Sequence, residues 1–478
     1  MHTDPIGNRR SPNGAGSGLT AALGGFDERH DDFDEGALRP AGDAGSGGER
    51  AGSLSSSAGD HRAGGDPAEV PGGDHGAAGS RRLGGERPRQ GRRVPAGSIC
   101  HLSVIKRTLA EEAGLYDPSY DGSQDFDFTF RVTEKAKRIE HISKPLYYWR
   151  IHAGSVADDI SAKPYAYVAA KRAVEAHLDR VGLEGTVEYS KAVPAMRVIY
   201  KLRSHPLVSI IIPTCDHIDL LGQCLDSIRE LSTYDNYEII LCENNSKDPK
   251  TFEYYEKLKE DERIKVIRYE GSFNFSRINN FARKFASGEH LLFLNNDIKI
   301  ITPEWIEEML MFTQREDVGA CGIKLLYPDD TVQHGGIAMG VCGSAANICP
   351  LFPREHEGYM SRLAVASDMS ACTAACLMVR ADVFDQVGGY DEELSVSFND
   401  VDLCLKIRKE NYLIVFNPVA EAYHYESRSR GYDNKGEKKR RMEHEKEILR
   451  AKWPAYYEEG GDPYYNRNFG KNSISYDA

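Results

Sequence analysis

The second half of this sequence predicts an α/β fold with a mostly parallel central sheet. Two observations carry that expectation. From Pro206 onward, short β-branched apolar runs alternate with longer segments whose apolar residues recur at helical spacing. Three of those runs also end in polar, turn-forming clusters, and open parallel sheets bind ligands at the carboxyl ends of their strands.

Taken in order, residues 207–212 form a buried strand and 220–230 a helix. Residues 237–242 form a second strand, 250–259 a helix and 264–268 a third strand. A helix over 279–285 follows, then a strand over 290–294 that runs into Asn295-Asn296-Asp297. The next helix begins near Pro303. This alternation implies parallel strands joined by right-handed crossovers. Upstream, 161–180 reads as a helix with Tyr165, Val168, Ala169, Val174 and Leu178 on its apolar face.

Composition excludes several classes. A net charge of −13 offers no nucleic-acid surface. No apolar run reaches the 18 residues of a spanning helix, and the N-terminus lacks the plan of a signal peptide. The ten cysteines are scattered, and Cys372 with Cys376 make a poor zinc signature. Reduced, mostly buried thiols in a cytoplasmic protein are expected. Residues 1–97 contain no Lys, Tyr, Trp or Cys and only Phe26 and Phe33 as aromatics. They are expected to be a disordered tail, or a mistranslated reading frame, because they cannot bury enough apolar surface to offset their ordering entropy.

Three loops are candidates for chemistry: 214–216, 243–246 and 295–297. Asp297 follows an apolar strand, so its carboxylate could hold a divalent ion on a diphosphate or cap the following helix. Glu243 could accept hydrogen bonds from a nucleotide base or ribose, or close an ordinary turn. Asp400 and Asp402 precede an apolar helical pattern, where one could act as general base and the other cap the helix. His424 could serve as a metal ligand or as a structural imidazole.

In their order, these segments resemble the family 2 glycosyltransferases, whose fold is the Rossmann-like GT-A fold. The resemblance rests on Val208-Ser209-Ile210-Ile211-Ile212-Pro213-Thr214, Glu243-Asn244-Asn245-Ser246, Phe273-Asn274-Phe275-Ser276 and Leu292-Phe293-Leu294-Asn295-Asn296-Asp297. It continues through Gln333-His334-Gly335-Gly336, Ala374-Ala375-Cys376-Leu377, Gly388-Gly389-Tyr390-Asp391, Asn399-Asp400-Val401-Asp402 and His424-Tyr425-Glu426-Ser427. It implies an inverting transfer from a nucleotide-diphosphate sugar with Mg²⁺ or Mn²⁺. Pro213, Thr214, Glu243, Asn245, Asn296 and Asp297 would hold the donor, and Asp297 and His424 the metal. Asn295 stands where the family's acidic step has its first acid. Asp400 matches the catalytic base, with Asp402 as its rival. The resemblance also implies a glycan or lipid-linked acceptor in O-antigen-like or rhamnose-containing surface polysaccharide.

An earlier stretch echoes the later one. Tyr116-Asp117, Gln124-Asp125-Phe126-Asp127 and Trp149-Arg150-Ile151-His152 repeat the order of Tyr390-Asp391, Asn399-Asp400-Val401-Asp402 and His424. Residues 98–200 are therefore expected to hold the acceptor-side half of a second glycosyltransferase domain and a helical linker, without a donor half. The complete domain spans 201–436, and 437–478 forms a charged helix and tail. That helix is expected to present a solvated face or to touch the inner membrane face peripherally. Two rivals remain. An oxidoreductase lacks its GxGxxG turn, and a binding protein on a degraded fold would need a broken donor site.

Overall fold

The computed structural model describes residues 102–140, 142, 164–190, 195–426, 435–458, 461–466, 468–472 and 474–476. The expectations for residues 1–97 and for Trp149–His152 lie outside these. Helices α1 (Arg107–Ala113), α2 (Gln124–Lys135) and α3 (Pro164–Val181) come first, followed by the antiparallel pair β1 (Gly185–Tyr189) and β2 (Met196–Tyr200). The α/β region follows as β3 (Val208–Thr214), α4 (Ile218–Leu231), β4 (Tyr237–Glu243), α5 (Pro249–Leu258), β5 (Ile264–Arg268), α6 (Phe275–Arg283), β6 (His290–Leu294) and β7 (Ile298–Ile300). It continues with α7 (Trp305–Thr313), β8 (Val318–Leu326), β9 (Val332–His334), β10 (Ile337–Met339), β11 (Ala345–Asn347), β12 (Ser367–Met369) and β13 (Cys376–Arg380). Next come α8 (Ala381–Gln386), α9 (Asn399–Lys409), β14 (Leu413–His424) and α10 (Gly436–Lys452).

The large sheet has the order β12-β14-β8-β13-β6-β3-β4-β5, with β7 on β14 and β9 on β8. The half β6-β3-β4-β5 is parallel, as the alternation predicts. Beyond it β13 enters antiparallel between β6 and β8. Every residue of β3 but Pro213 is buried, which suits its β-branched run. Pro213 lacks a ladder N–H, and β3 tolerates this because its pairing with β6 stops at Ile211↔Phe293. Leu220, Leu221, Cys224, Leu225 and Ile228 form the buried stripe of α4.

Three expectations need correction. Helix α6 starts at Phe275 rather than Asn279, because Asn274 caps it, its Oδ1 accepting from the Arg277 amide at 3.0 Å. Its buried first turn is polar: the Ser276 hydroxyl donates to the Leu394 carbonyl at 2.6 Å, so no apolar period marks it. On α3 the buried face is Ala166, Ala169, Ala170, Ala173, Val174 and Leu178, while Tyr165 and Val168 are exposed. Small side chains allow close packing there, and the two larger residues lie off that face.

The third concerns the boundary at 436. Leu449 of α10, with Tyr465 and Tyr476 beyond it, belongs to the same hydrophobic core as Phe293 and Leu377 of the sheet. Phe126, Val174 and Leu178 likewise share a core with Ile210 and Leu241. The charged helix therefore has one packed side, where Glu445 and Leu449 are buried. The nine cysteines among the described residues are free; Cys215 and Cys342 are exposed and the others buried. Among the described residues no helix is long and apolar enough to cross a membrane.

Candidate active site

The three polar loops meet at the ends of β3, β4 and β6. Thr214 pairs with Glu243, and the Asn244 amide donates to the Thr214 carbonyl at 3.0 Å. The Asn296 side-chain amide reaches the Thr214 hydroxyl at 3.5 Å, which brings the third loop alongside. Glu243 is buried. One of its oxygens accepts from the Ser246 amide at 2.6 Å, and the other faces the exposed Arg268 guanidinium at 3.4 Å. Asn245 takes a left-handed conformation (φ 66°) and donates to the Gly271 carbonyl at 2.7 Å, tying down the segment after β5.

Asp216, which sequence assigns no role beyond its loop, organises this corner. Its Oδ1 accepts from the amides of Lys247 and Asp248, both at 3.0 Å, and from the Thr251 hydroxyl at 3.1 Å. Burial pushes its carboxyl up, but those donors outweigh burial and hold it below the usual carboxylate range.

Asp297 caps no helix, because β7 follows it directly. It is 4% exposed, and no donor satisfies its buried Oδ1. His424 Nε2, from the end of β14, lies 3.2 Å from that oxygen and 3.2 Å from Asn295 Nδ2. The other ring nitrogen, Nδ1, is 2.7 Å from Gln333 Oε1. An orphaned carboxylate oxygen facing an imidazole nitrogen fits a divalent ion held by two protein ligands and completed by substrate phosphates. No group of three or more His, Cys, Asp or Glu side chains with metal-ligand spacing occurs among the described residues.

The segment 373–375 joins this side to the acids. The Ala375 carbonyl accepts from the Asn295 amide at 3.0 Å, and the Ala374 amide donates to Asp400 Oδ2 at 3.1 Å. Asp400 Oδ1 accepts from the Val401 amide at 2.8 Å, in the first turn of α9. Asp400 is half-buried, and burial raises its carboxyl above the usual range despite those amides and the Thr373 hydroxyl. Asp402 is wholly buried and engaged elsewhere: Trp453 Nε1 donates to its Oδ1 at 2.8 Å, and Lys452 Nζ lies 2.7 Å from the same oxygen.

Two further residues belong here. Gln333 and His334 are adjacent on β9, and sequence marks them only as part of a matching stretch. Gln333 contacts His424, while His334 Nε2 accepts from the Thr373 amide at 3.4 Å. Burial lowers His334 to about 4, so its ring is neutral. Gly389, at φ 64°, lies where a Cβ would come 2.6 Å from Asn280 Oδ1. That oxygen accepts from the Tyr390 amide at 2.9 Å, which holds the turn leading toward α9.

Residues 209–388 match the profile of Glycosyl transferase family 2, and the chain carries a glycosyltransferase domain of that family. Over 375 residues it is 40% identical to the uncharacterized protein y4gI of Sinorhizobium fredii, covering 77% of this chain and 41% of that one. Over 373 residues it is 36% identical to the O-antigen biosynthesis protein RfbC of Myxococcus xanthus, covering 77% of this chain and 28% of that one. It is also 41% identical over 122 residues to the N-acetylglucosaminyl-diphospho-decaprenol L-rhamnosyltransferase of Mycobacterium tuberculosis, covering 24% of this chain and 40% of that one. The chain thus spans less than half the length of each of these relatives.

Proposed function

We propose that this chain transfers a sugar, with inversion, from a nucleotide-diphosphate sugar to a hydroxyl of a glycan or lipid-linked acceptor. Surface polysaccharide assembly is the setting, supported by what the relatives from Myxococcus xanthus and Mycobacterium tuberculosis are named for. The observation that carries the reading is the buried pair of Asp297 Oδ1 and His424 Nε2, 3.2 Å apart at the end of β6. These two residues would hold Mg²⁺ or Mn²⁺, which supplies charge neutralisation for the leaving diphosphate.

The chain's own residues do the rest. Pro213, Thr214, Glu243, Asn245 and Asn296 shape the donor loops. Asp400 takes the proton of the acceptor hydroxyl as that oxygen bonds to the anomeric carbon. The bond from that carbon to the diphosphate breaks, and the nucleoside diphosphate leaves. A single positioned base suffices for in-line displacement. Asp402, committed to Lys452 and Trp453, holds α9 in place.

The test is nucleotide release from a panel of UDP-, dTDP- and GDP-sugars with Mn²⁺, Mg²⁺ or EDTA. One donor is expected to give metal-dependent release that Asp297→Ala abolishes. Release that persists in EDTA would refute the metal reading. The absence of both release and donor binding would favour a binding protein on a degraded fold.

We also propose that residues 98–200 hold the acceptor-side half of a second such domain. Helices α2 and α9 each begin on the acidic tetrad that repeats in sequence. Asp125 Oδ1 accepts from the Phe126 amide at 3.0 Å, as Asp400 does from Val401. Asp127 is buried and meets Arg131 of its own helix at 2.7 Å and Arg180 of α3 at 3.8 Å. Asp402 meets Lys406 of its own helix at 4.0 Å and Lys452 of α10 at 2.7 Å. Because this reading assigns the acceptor proton to Asp400 and the donor to the loops of β3, β4 and β6, Asp125→Asn in the full chain should leave nucleotide release unchanged. A loss as large as that of Asp400→Asn would overturn this.

A further inference from the structure

We propose that Gln333 and Glu426 are positioning residues that set the tautomer of His424, presenting its Nε2 lone pair beside Asp297. The inference rests on the metal reading of the Asp297–His424 pair. Glu426 is exposed, and its carboxylate can only accept. Gln333 Nε2 donates to Glu426 Oε2 at 2.9 Å. That fixes which end of the Gln333 amide faces inward: its Oε1 lies 2.7 Å from His424 Nδ1. A carbonyl oxygen there demands a proton on Nδ1. A neutral imidazole then carries a lone pair on Nε2, which can accept from Asn295 Nδ2 at 3.2 Å and lies 3.2 Å from Asp297 Oδ1. Two lone-pair-bearing atoms at that distance disfavour each other until a cation lies between them. Gln333 is 5% exposed and His424 8%, so the contact between them is shielded from water. Residues that orient a metal-binding imidazole in this way typically change metal affinity about 10–100-fold when lost.

The test uses the full chain labelled with ¹⁵N-histidine, the His424 signals being assigned by their loss in His424→Asn. Histidine ¹⁵N shifts report the tautomer before any metal is added, and Mn²⁺ titration with UDP present, followed by electron paramagnetic resonance, reports affinity. The wild type should show a protonated Nδ1. Gln333→Leu should shift His424 toward protonated Nε2 and weaken Mn²⁺ binding about 10–100-fold. Glu426→Ala, at the exposed end of the relay, should mix the tautomers with a smaller loss, and it serves if Gln333→Leu does not fold. A protonated Nε2 in the wild type, or a tautomer unmoved in both variants, overturns the relay whatever the metal does. A protonated Nδ1 with no Mn²⁺ bound by the wild type instead overturns the metal reading, and with it the purpose assigned to Gln333.

Discussion

Asp400→Asn should lower sugar transfer by about 10²–10⁴-fold while the protein stays folded, because it removes the base proposed to accept the hydroxyl proton. Burial raises the Asp400 carboxyl, against the pull of the Ala374 and Val401 amides and the Thr373 hydroxyl. Raised folded-state pKa means that the protonated form suits the fold better. The stability it contributes is present below the unfolded pKa and is lost as pH rises through the folded one. Ionising Asp400 therefore costs the fold stability. The acid limb of kcat/KM should accordingly have its midpoint above the ordinary aspartate value of about 3.9. Product formation measured against pH checks this, and an Asp400→Asn enzyme of near-normal rate would sink the assignment. Asp402→Ala should behave differently. It strips the Trp453 indole N–H and one contact of Lys452, at a cost of about 1–3 kcal/mol seen in thermal unfolding.

Glu445→Ala is the second large effect. The Glu445 carboxylate, 1% exposed on α10, accepts from the amides of Ser395, Val396 and Ser397 at 2.8, 3.1 and 2.8 Å, and from the Ser395 hydroxyl at 2.5 Å. This clamp lies immediately before Phe398, a non-glycine residue at φ 64° that starts α9. A left-handed phenylalanine persists only where its surroundings over-determine it. Truncation to alanine leaves four part-buried donors without their acceptor, and a loss of about 3 kcal/mol is expected. Transfer should fall with it, since Asp400 follows Phe398 by two residues. Thermal unfolding and transfer rates on the same samples decide the matter. Unchanged stability with unchanged rate would show that the loop holds its shape without α10.

What sequence conveys here divides along physical lines. Strands β3, β4 and β6 fall within two residues of where their apolar runs place them, because burial on both faces writes itself into consecutive residues. The three polar loops at their ends are legible for the same reason, as polar breaks after those runs. Helix α6 is not, since its first turn spends polar side chains on carbonyl groups over a hundred residues away. Nor can a local pattern separate Asp400 from Asp402. What distinguishes them is Lys452 and Trp453, about fifty residues downstream. Likewise Gln333 matters only because β9 and β14 both flank β8 in the sheet.

The antiparallel strand β13 has a consequence for synthesis. Strands β3, β4, β5 and β6 are made first and can pair as they emerge. Their shared sheet then ends on β6, whose His290-Leu291-Leu292-Phe293-Leu294 is buried throughout in the finished protein. Its missing neighbour lies about eighty residues further along the chain. At ordinary ribosome speeds of about 5–20 residues per second, that bare apolar edge waits about 4–16 s for its partner. An open hydrophobic edge templates pairing with other chains. The interval between residues 295 and 375 is therefore the window in which nascent copies are most exposed to misassembly, and codon usage there bears directly on the soluble yield.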